Sequence, residues 1–323
     1  MRVAGIVALA LAGALIAAAP TRAETVQEGF AAYSRGDYAG ALRILRPLAD
    51  QGRAESRHIL AVMYLNGQGV PQSGGEAVRW FRAAADQGFV PSQISLGRLY
   101  EHGQAVPQDY REALRWYQAA ADQGNAYGQH ALALMYLKGQ GVPQNDKEAA
   151  RWNRAAADQG LAPAQASLAR LYDQGRGVPH DLGEALRLYR AAADQGDAIA
   201  QVRLGHIYKD GRGVPADAKE AQRWYRTAED QGDESAQISL GFMYEHGDGV
   251  PVDYVEAVRW YRAAAGQGSP IAQHRLGVLH LEGRGVPRNP SEAVRWYRAA
   301  ADQGYAEARR ALDDLGDFAK SVP

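Results

Sequence analysis

Apolar side chains recur along this chain at helical spacing, in stripes that alternate with short glycine- and proline-marked breaks. Between Ala198 and Gly232, apolar residues fall at Ala200, Leu204, Ile207 and Tyr208, the i, i+4, i+7, i+8 stripe of an amphipathic helix. Gly211 ends that stripe, where left-handed backbone geometry is wanted. Gly213, Val214 and Pro215 then carry an extended turn, because the residue before a proline is kept out of helical space. A second stripe follows, with Ala221, Trp224, Tyr225 and Ala228 on its inward face and Gly232 at its close. The pattern predicts two antiparallel helices joined by a tight turn.

The same pattern returns along nearly the whole chain. Asp-Gln-Gly begins at Asp50, Asp86, Asp122, Asp158, Asp194, Asp230 and Asp302, and Gly266-Gln267-Gly268 keeps the place of the missing copy. The spacing is 36 residues throughout, which predicts a helical repeat array rather than a set of independent domains. Two residues after each turn proline stands a helix-capping residue: Ser73, Asp109, Asn145, Asp181, Asp217, Asp253 or Asn289. Three residues further on there is a glutamate each time: Glu76, Glu112, Glu148, Glu184, Glu220, Glu256 and Glu292. This is capping-box spacing, in which cap and glutamate are expected to satisfy each other's backbone N–H groups. It explains the glutamate row without invoking catalysis.

Two aromatic rows have an equally plain reading. Tyr64, Tyr100, Tyr136, Tyr172, Tyr208 and Tyr244 share one repeat position, with His280 in the seventh copy. Trp80, Trp116, Trp152, Trp224, Trp260 and Trp296 share another, with Leu188 substituting once. A bulky aliphatic replacement suits a core and not a stacking platform, so both rows are expected to pack between helices. The ends differ, as terminal units of an array should. Residues 24–52 predict a shorter helix pair acting as an N-terminal cap, residues 53–304 the seven full repeats, and residues 305–323 a capping helix with a frayed tail from Asp317 onward. The expected fold class is all-α, an α/α solenoid.

Composition narrows the function more than the fold. Hydrophobic residues make up 46% and charged residues 23%, enough for a core, while a net charge of -1 gives no reason to expect nucleic acid or an anionic membrane as partner. The chain has no cysteine, which removes disulfides, thiolate metal sites and cysteine nucleophiles. At the N-terminus, Arg2 precedes an apolar run from Val3 to Ala19, broken by Pro20 and followed by Thr21-Arg22-Ala23, small residues in the positions that a leader cleavage site needs. The run is short of the roughly 20 residues that a spanning helix requires. Residues 1–23 therefore read as a signal peptide cleaved near Ala23, which implies a periplasmic or secreted protein without stable membrane insertion.

With its turn, cap and aromatic positions written out, the repeat resembles the Sel-one-like repeat family. Ala236 to Tyr244, Gly247 to Pro251, Asp253, Glu256-Ala257 and Trp260-Tyr261 carry the resemblance, and the N-terminal cap looks more like a tetratricopeptide unit. The resemblance implies a right-handed superhelix whose first helices line a concave groove, and a role as adaptor or assembly scaffold. Some cysteine-rich members have been linked to β-lactam binding or hydrolysis. A cell-wall or β-lactam-acting hydrolase is thus the alternative, weakened here by the lack of cysteine, and a carbohydrate-binding or envelope-assembly role is a third possibility.

In a solenoid the repeated positions hold the scaffold, leaving varying positions to carry specificity. Opposite the core stripe of each first helix lie residues spaced i, i+4, i+7. In chain order the candidates for a partner-binding face are His58, Val62, Leu65, Arg98, Glu101, His130, Leu134, Leu137, Arg170, Asp173, His206, Lys209, Phe242, Glu245, His274 and Val278, with Leu281 completing the last row. The apolar members would mark an interaction surface if left uncovered, and the charged ones could set register on a protein or peptide. The alternative is that neighbouring repeats bury them. Catalysis has little support: the histidines are spread through distant repeats, and no metal-protease, nucleophile-elbow or phosphate-loop motif is present. No catalytic residue, metal or cofactor is expected.

Overall fold

The computed structural model describes residues 20–322; the apolar run of the expected leader lies outside them. Among the described residues there are seventeen helices and no strand. The described chain divides into two compact units, residues 20–164 with Gly175–Pro179, and Gln165–Gln174 with residues 180–322. The first contains α1 (Pro20–Ser34), α2 (Tyr38–Asp50), α3 (Ala54–Asn66), α4 (Gly74–Ala85), α5 (Val90–His102), α6 (Tyr110–Asp122), α7 (Ala126–Lys138) and α8 (Asp146–Asp158). Helix α9 (Ala162–Gln174) has most of its length in the second unit. There follow α10 (Leu182–Ala193), α11 (Ala198–Asp210), α12 (Ala218–Glu229), α13 (Glu234–His246), α14 (Tyr254–Gly266), α15 (Pro270–Glu282), α16 (Pro290–Asp302) and α17 (Ala306–Ser321). Within each unit a helix packs on its hairpin partner and on the first helix of the next pair, the plan of an α/α solenoid.

Small residues let these helices approach closely. Ala221, Ala228 and Ala236 are fully buried, and so is the Tyr225 ring between them. Gly97 shows why one position must stay small: a Cβ there would lie 2.5 Å from the Tyr117 ring. The tryptophan row is core, as expected, in Trp80, Trp116, Trp224 and Trp260, and half-buried in Trp152 and Trp296. Its outer edge is covered by the preceding arginine, whose guanidinium sits 4.2–5.2 Å from the ring centre at Arg79, Arg115, Arg151, Arg223 and Arg259. The tyrosine row is buried at Tyr100 and half-buried at Tyr64, Tyr136, Tyr172, Tyr208 and Tyr244. Arg46, Arg82, Arg190 and Arg226 donate to the hydroxyls of Tyr64, Tyr100, Tyr208 and Tyr244, each from the helix before.

The capping motif forms by half. Asp109 accepts from the backbone N–H of Arg111 and Glu112, and Asp253 from those of Val255 and Glu256. The reciprocal bond does not form, because the cap residue's own N–H already donates to the row tyrosine's carbonyl: Asp109 to Tyr100 at 2.9 Å, Asp253 to Tyr244 at 2.8 Å. The glutamate turns instead to an arginine three residues on, as in Glu76–Arg79 at 2.7 Å and Glu184–Arg187 at 2.7 Å. This corrects the expectation of a full capping box: tertiary closure of the turn takes the donor that the glutamate would have satisfied.

Asp-Gln-Gly proves to be more than a punctuation mark. Its glutamine donates to a buried glutamine on the first helix of the same repeat, Gln123 to Gln93, Gln159 to Gln129, Gln231 to Gln201 and Gln303 to Gln273, all at 2.8–2.9 Å. Gln93 and Gln201 in turn donate to the carbonyls of Ala85 and Ala193 on the second helix of the preceding repeat. In the first repeat Arg57 stands in this place and bridges the Ala49 and Ala83 carbonyls. The buried amides are thereby satisfied in pairs.

One turn departs from the others. Six turns place glycine at positive φ where the second carries Ala105, with φ 65°. At Gly141 and Gly177 a Cβ would fall 2.1–2.3 Å from a carbonyl oxygen of the preceding repeat. Ala105 is tolerated because the facing residue is Gly74, the one helix start in this row without a side chain.

At the N-terminal end Ala32, Ala41 and Leu45 pack on Ile59 and Met63. Gln68 bridges Tyr33 and Tyr38 there. At the other end the tail from Asp317 is not frayed. Helix α17 kinks at Gly316 and continues to Ser321, packing Ala319 and Val322 on Val294 while Arg298 donates to the Ala319 carbonyl at 2.7 Å. The alternation of Ala319 and Val322 was too short a signal to set against the charged stretch before it.

Candidate functional site

The proposed partner-binding face divides by position. Its first position, nearest the helix start, is packing surface. His58 is buried, with Nδ1 2.9 Å from Ser92 Oγ and its ring against Phe81 and Phe89. His130 meets Asn153 at 2.8 Å, His206 meets Ser239 at 3.3 Å, and His274 lies against Tyr297 and Tyr305. Each ring is wedged against the second helix of its own repeat or the element that follows, so these histidines seat one repeat on another. Burial holds the His58 ring down to about 3 and lowers His206 and His274 as well. Val62, at the second position, is also buried. For His58 and Val62 the structure corrects the expectation of an accessible side chain: the N-terminal cap and the second repeat close over them.

The second and third positions retain surface, but most of their charges are already committed. Glu101 accepts a hydrogen bond from the Tyr117 hydroxyl at 2.8 Å, and Glu245 from Tyr261 at 2.6 Å. Burial and the adjoining carboxylate raise both phenols far above the ordinary range. Glu245 also pairs with Arg275 at 3.6 Å, and that guanidinium lies 4.7 Å from the Phe242 ring. At 8% exposure Glu245 is structural, which corrects its assignment to partner contact. Asp173 is held by Arg212, and Lys209 lies 3.8 Å from Asp210. Arg98 is half-buried and Arg170 exposed, and neither forms an ion pair among the described residues. Leu65, Leu134 and Leu137 in the first unit, and Phe242, Val278 and Leu281 in the second, are half-buried and keep some accessible surface.

A cavity of about 470 Å³ opens where α15, α16 and α17 meet. Val278, Leu281, Tyr297, Ala311 and Leu315 form its apolar wall; His274, Glu282, Glu307, Arg310 and Asp314 ring it. It therefore gathers His274, Val278 and Leu281 from the expected face with α17 residues that the sequence marked only as a charged cap. Their i, i+3, i+7 spacing from Glu307 was the available signal. Tyr297 is 2% exposed, and its phenol, pushed up to about 12 by burial and by Glu282, has no hydrogen-bond partner among the described residues. No group of three or more metal-ligating side chains occurs among the described residues, and no described helix is long and apolar enough to cross a membrane.

This geometry defines a helical-repeat protein in which a constant internal frame carries a variable first-helix face. The chain belongs to the Sel1 repeat family, whose pattern matches seven consecutive copies over residues 54–89, 90–125, 126–161, 162–197, 198–233, 234–269 and 270–305. Among solved structures it is similar to a Sel1 repeat protein from Oxalobacter formigenes, at 33% identity and a TM-score of 0.73, covering 90% of this chain and 86% of that one. It is likewise similar to c5321, a protective antigen of uropathogenic Escherichia coli strains displaying an SLR fold, at 33% identity and a TM-score of 0.65, covering 93% and 73% of the two chains. No curated protein matches the sequence. Sel1 repeat proteins act in general as scaffolds for protein–protein interaction.

Proposed function

We propose that this protein is an exported scaffold that holds a protein or peptide partner on the first-helix face of its repeats. The observation that carries the reading is the half-buried apolar set that keeps some surface at the second and third positions, Leu65, Leu134 and Leu137 in one unit and Phe242, Val278 and Leu281 in the other. Large apolar side chains that keep some accessible surface at varying positions of an otherwise repeated frame suit partner contact, with Leu65, Val278 and Leu281 also resting on the core of their own units. Export rests on the N-terminal apolar run and the small residues before Glu24. The hydrolase reading gains no support from the family or from the solved relatives.

Affinity capture from the envelope fraction of the source cells tests this reading with two single variants, Leu137→Asp and Phe242→Asp. Each should keep wild-type helicity and lose at least one protein that wild type retains. Capture unchanged in both folded variants would remove the face from consideration. A fusion at the C-terminus to a reporter active only outside the cytoplasm checks export, and deletion of residues 2–19 should abolish its signal.

A further inference from the structure

We propose that the cavity between α15, α16 and α17 receives one apolar side chain of an extended peptide, with a flanking lysine or arginine of that peptide paired to the acidic rim. The inference deepens the scaffold reading and rests on it. Three independent features point to this occupant.

The first is the unpaired phenol. Glu101 and Glu245 accept from the second-helix tyrosines of their repeats. The seventh repeat carries Leu281 where those glutamates stand, so Tyr297 keeps its burial and loses its acceptor. The hydroxyls of Tyr189 and Tyr225 are also unpaired but sealed from solvent, whereas Tyr297 lines the open cavity. The Tyr297 hydroxyl, unlike those two, is reached from the cavity, and a ligand carbonyl entering it can accept that hydrogen bond in place of water. A peptide backbone presents such a carbonyl beside every side chain.

The second feature is charge. Glu282, Glu307 and Asp314 face only Arg310 among the charged lining residues. Glu282 already pairs with Arg284 at 3.1 Å, while Glu307 and Asp314 have no ion-pair partner among the described residues. The rim therefore favours a cation next to the apolar group. The third is size and wall chemistry. About 470 Å³ walled by Val278, Leu281 and Leu315 suits a leucine- or phenylalanine-sized group with its adjoining backbone, near the lower end of ligand-site volumes.

Titration of the full mature chain, followed by NMR shifts and calorimetry, tests the proposal with three capped pentapeptides: Gly-Lys-Leu-Lys-Gly, Gly-Glu-Leu-Glu-Gly and Gly-Lys-Ser-Lys-Gly. The lysine–leucine peptide should bind at millimolar concentration with shifts at Val278, Tyr297 and Asp314, and the other two should bind at least ~5-fold more weakly. Tyr297→Phe should weaken binding ~5- to 10-fold, the loss of one hydrogen bond. Phenylalanine stands at this repeat position in Phe81, so the variant should fold, with an unchanged melting curve as the check. Asp314→Lys should reverse the preference between the lysine and glutamate peptides.

Equal binding of the acidic peptide, shifts confined to other repeats, no effect of Tyr297→Phe, or no binding at all would each overturn the proposal. If the cavity stays empty while partner capture still depends on Leu137 or Phe242, this inference fails and the scaffold reading stands. If the peptide binds as expected while capture ignores both residues, the scaffold reading fails instead.

Discussion

At the scale of single residues, stability turns on a few positions where one repeat departs from its siblings. Ala105 holds a left-handed backbone conformation that costs an alanine about 1–2 kcal/mol relative to the right-handed region. Glycine removes that strain and loses some of the gain to a more flexible unfolded chain. Ala105→Gly should therefore raise unfolding free energy by about 1 kcal/mol, read from the denaturant midpoint. His58 offers a pH-dependent counterpart. Burial lowers its folded-state value from 6.5 to about 3, so the unfolded chain binds the proton more readily. Stability tied to this ring is complete above about pH 6.5 and is lost progressively as the pH falls toward about 3. At about pH 4 the loss amounts to at most about 3 kcal/mol. His58→Ile, the residue that Ile94 and Ile238 supply at this position, should flatten the pH dependence of unfolding between neutral and acid conditions. An unchanged slope would show that the ring carries no such linkage.

At the scale of the helix and its turn, the cap residue and the glutamate behind it do different work. Asp253 satisfies two backbone donors at the start of α14, while Glu256 makes an exposed pair with Arg259 at 3.3 Å. Asp253→Ala should cost about 1 kcal/mol, and Glu256→Gln well under that, because exposed pairs contribute about 0–1 kcal/mol. Comparable losses would mean that the glutamate caps the helix after all. This division was not legible in the sequence. Spacing identifies which residues stand near a helix start, but the competing acceptor, the row tyrosine's carbonyl, comes from another helix. The same limit applies to the partner face. Helical spacing put Leu134 and Leu137 on one side of α7, and Phe242 and Val278 at matching positions of α13 and α15, yet it gave no measure of how closely the next repeat covers His58 or Val62. Only the packing of adjacent repeats decides that.

At the scale of the whole molecule, the period, helix pairing and family were legible because they are local patterns repeated many times. The cavity was not, since it exists only where the last repeat meets a helix outside the pattern. The interfaces within the second unit are nearly alike from repeat to repeat, including the glutamine pairs and the turn closures. Nearest-neighbour contacts of this kind make stability close to a sum over repeats. Excision of residues 198–233, joining Asp197 to Glu234, should leave helicity per residue unchanged and melting cooperative, at a temperature lower by a few degrees. Circular dichroism through a thermal melt checks this; loss of the cooperative transition would show that the fifth repeat holds something its neighbours cannot replace.

The glutamine pairs also bear on how such a chain changes over generations. Each donor finds its acceptor 30 residues back, inside its own 36-residue copy. Unequal crossing-over between homologous copies of a gene adds or removes whole copies in register, and every new copy arrives with its own pair intact. A crossover that cuts a copy short separates donor from acceptor and strands a buried amide. Selection on foldability therefore filters recombinants by length, passing multiples of the copy and rejecting fractions. Array length can drift while the frame stays fixed.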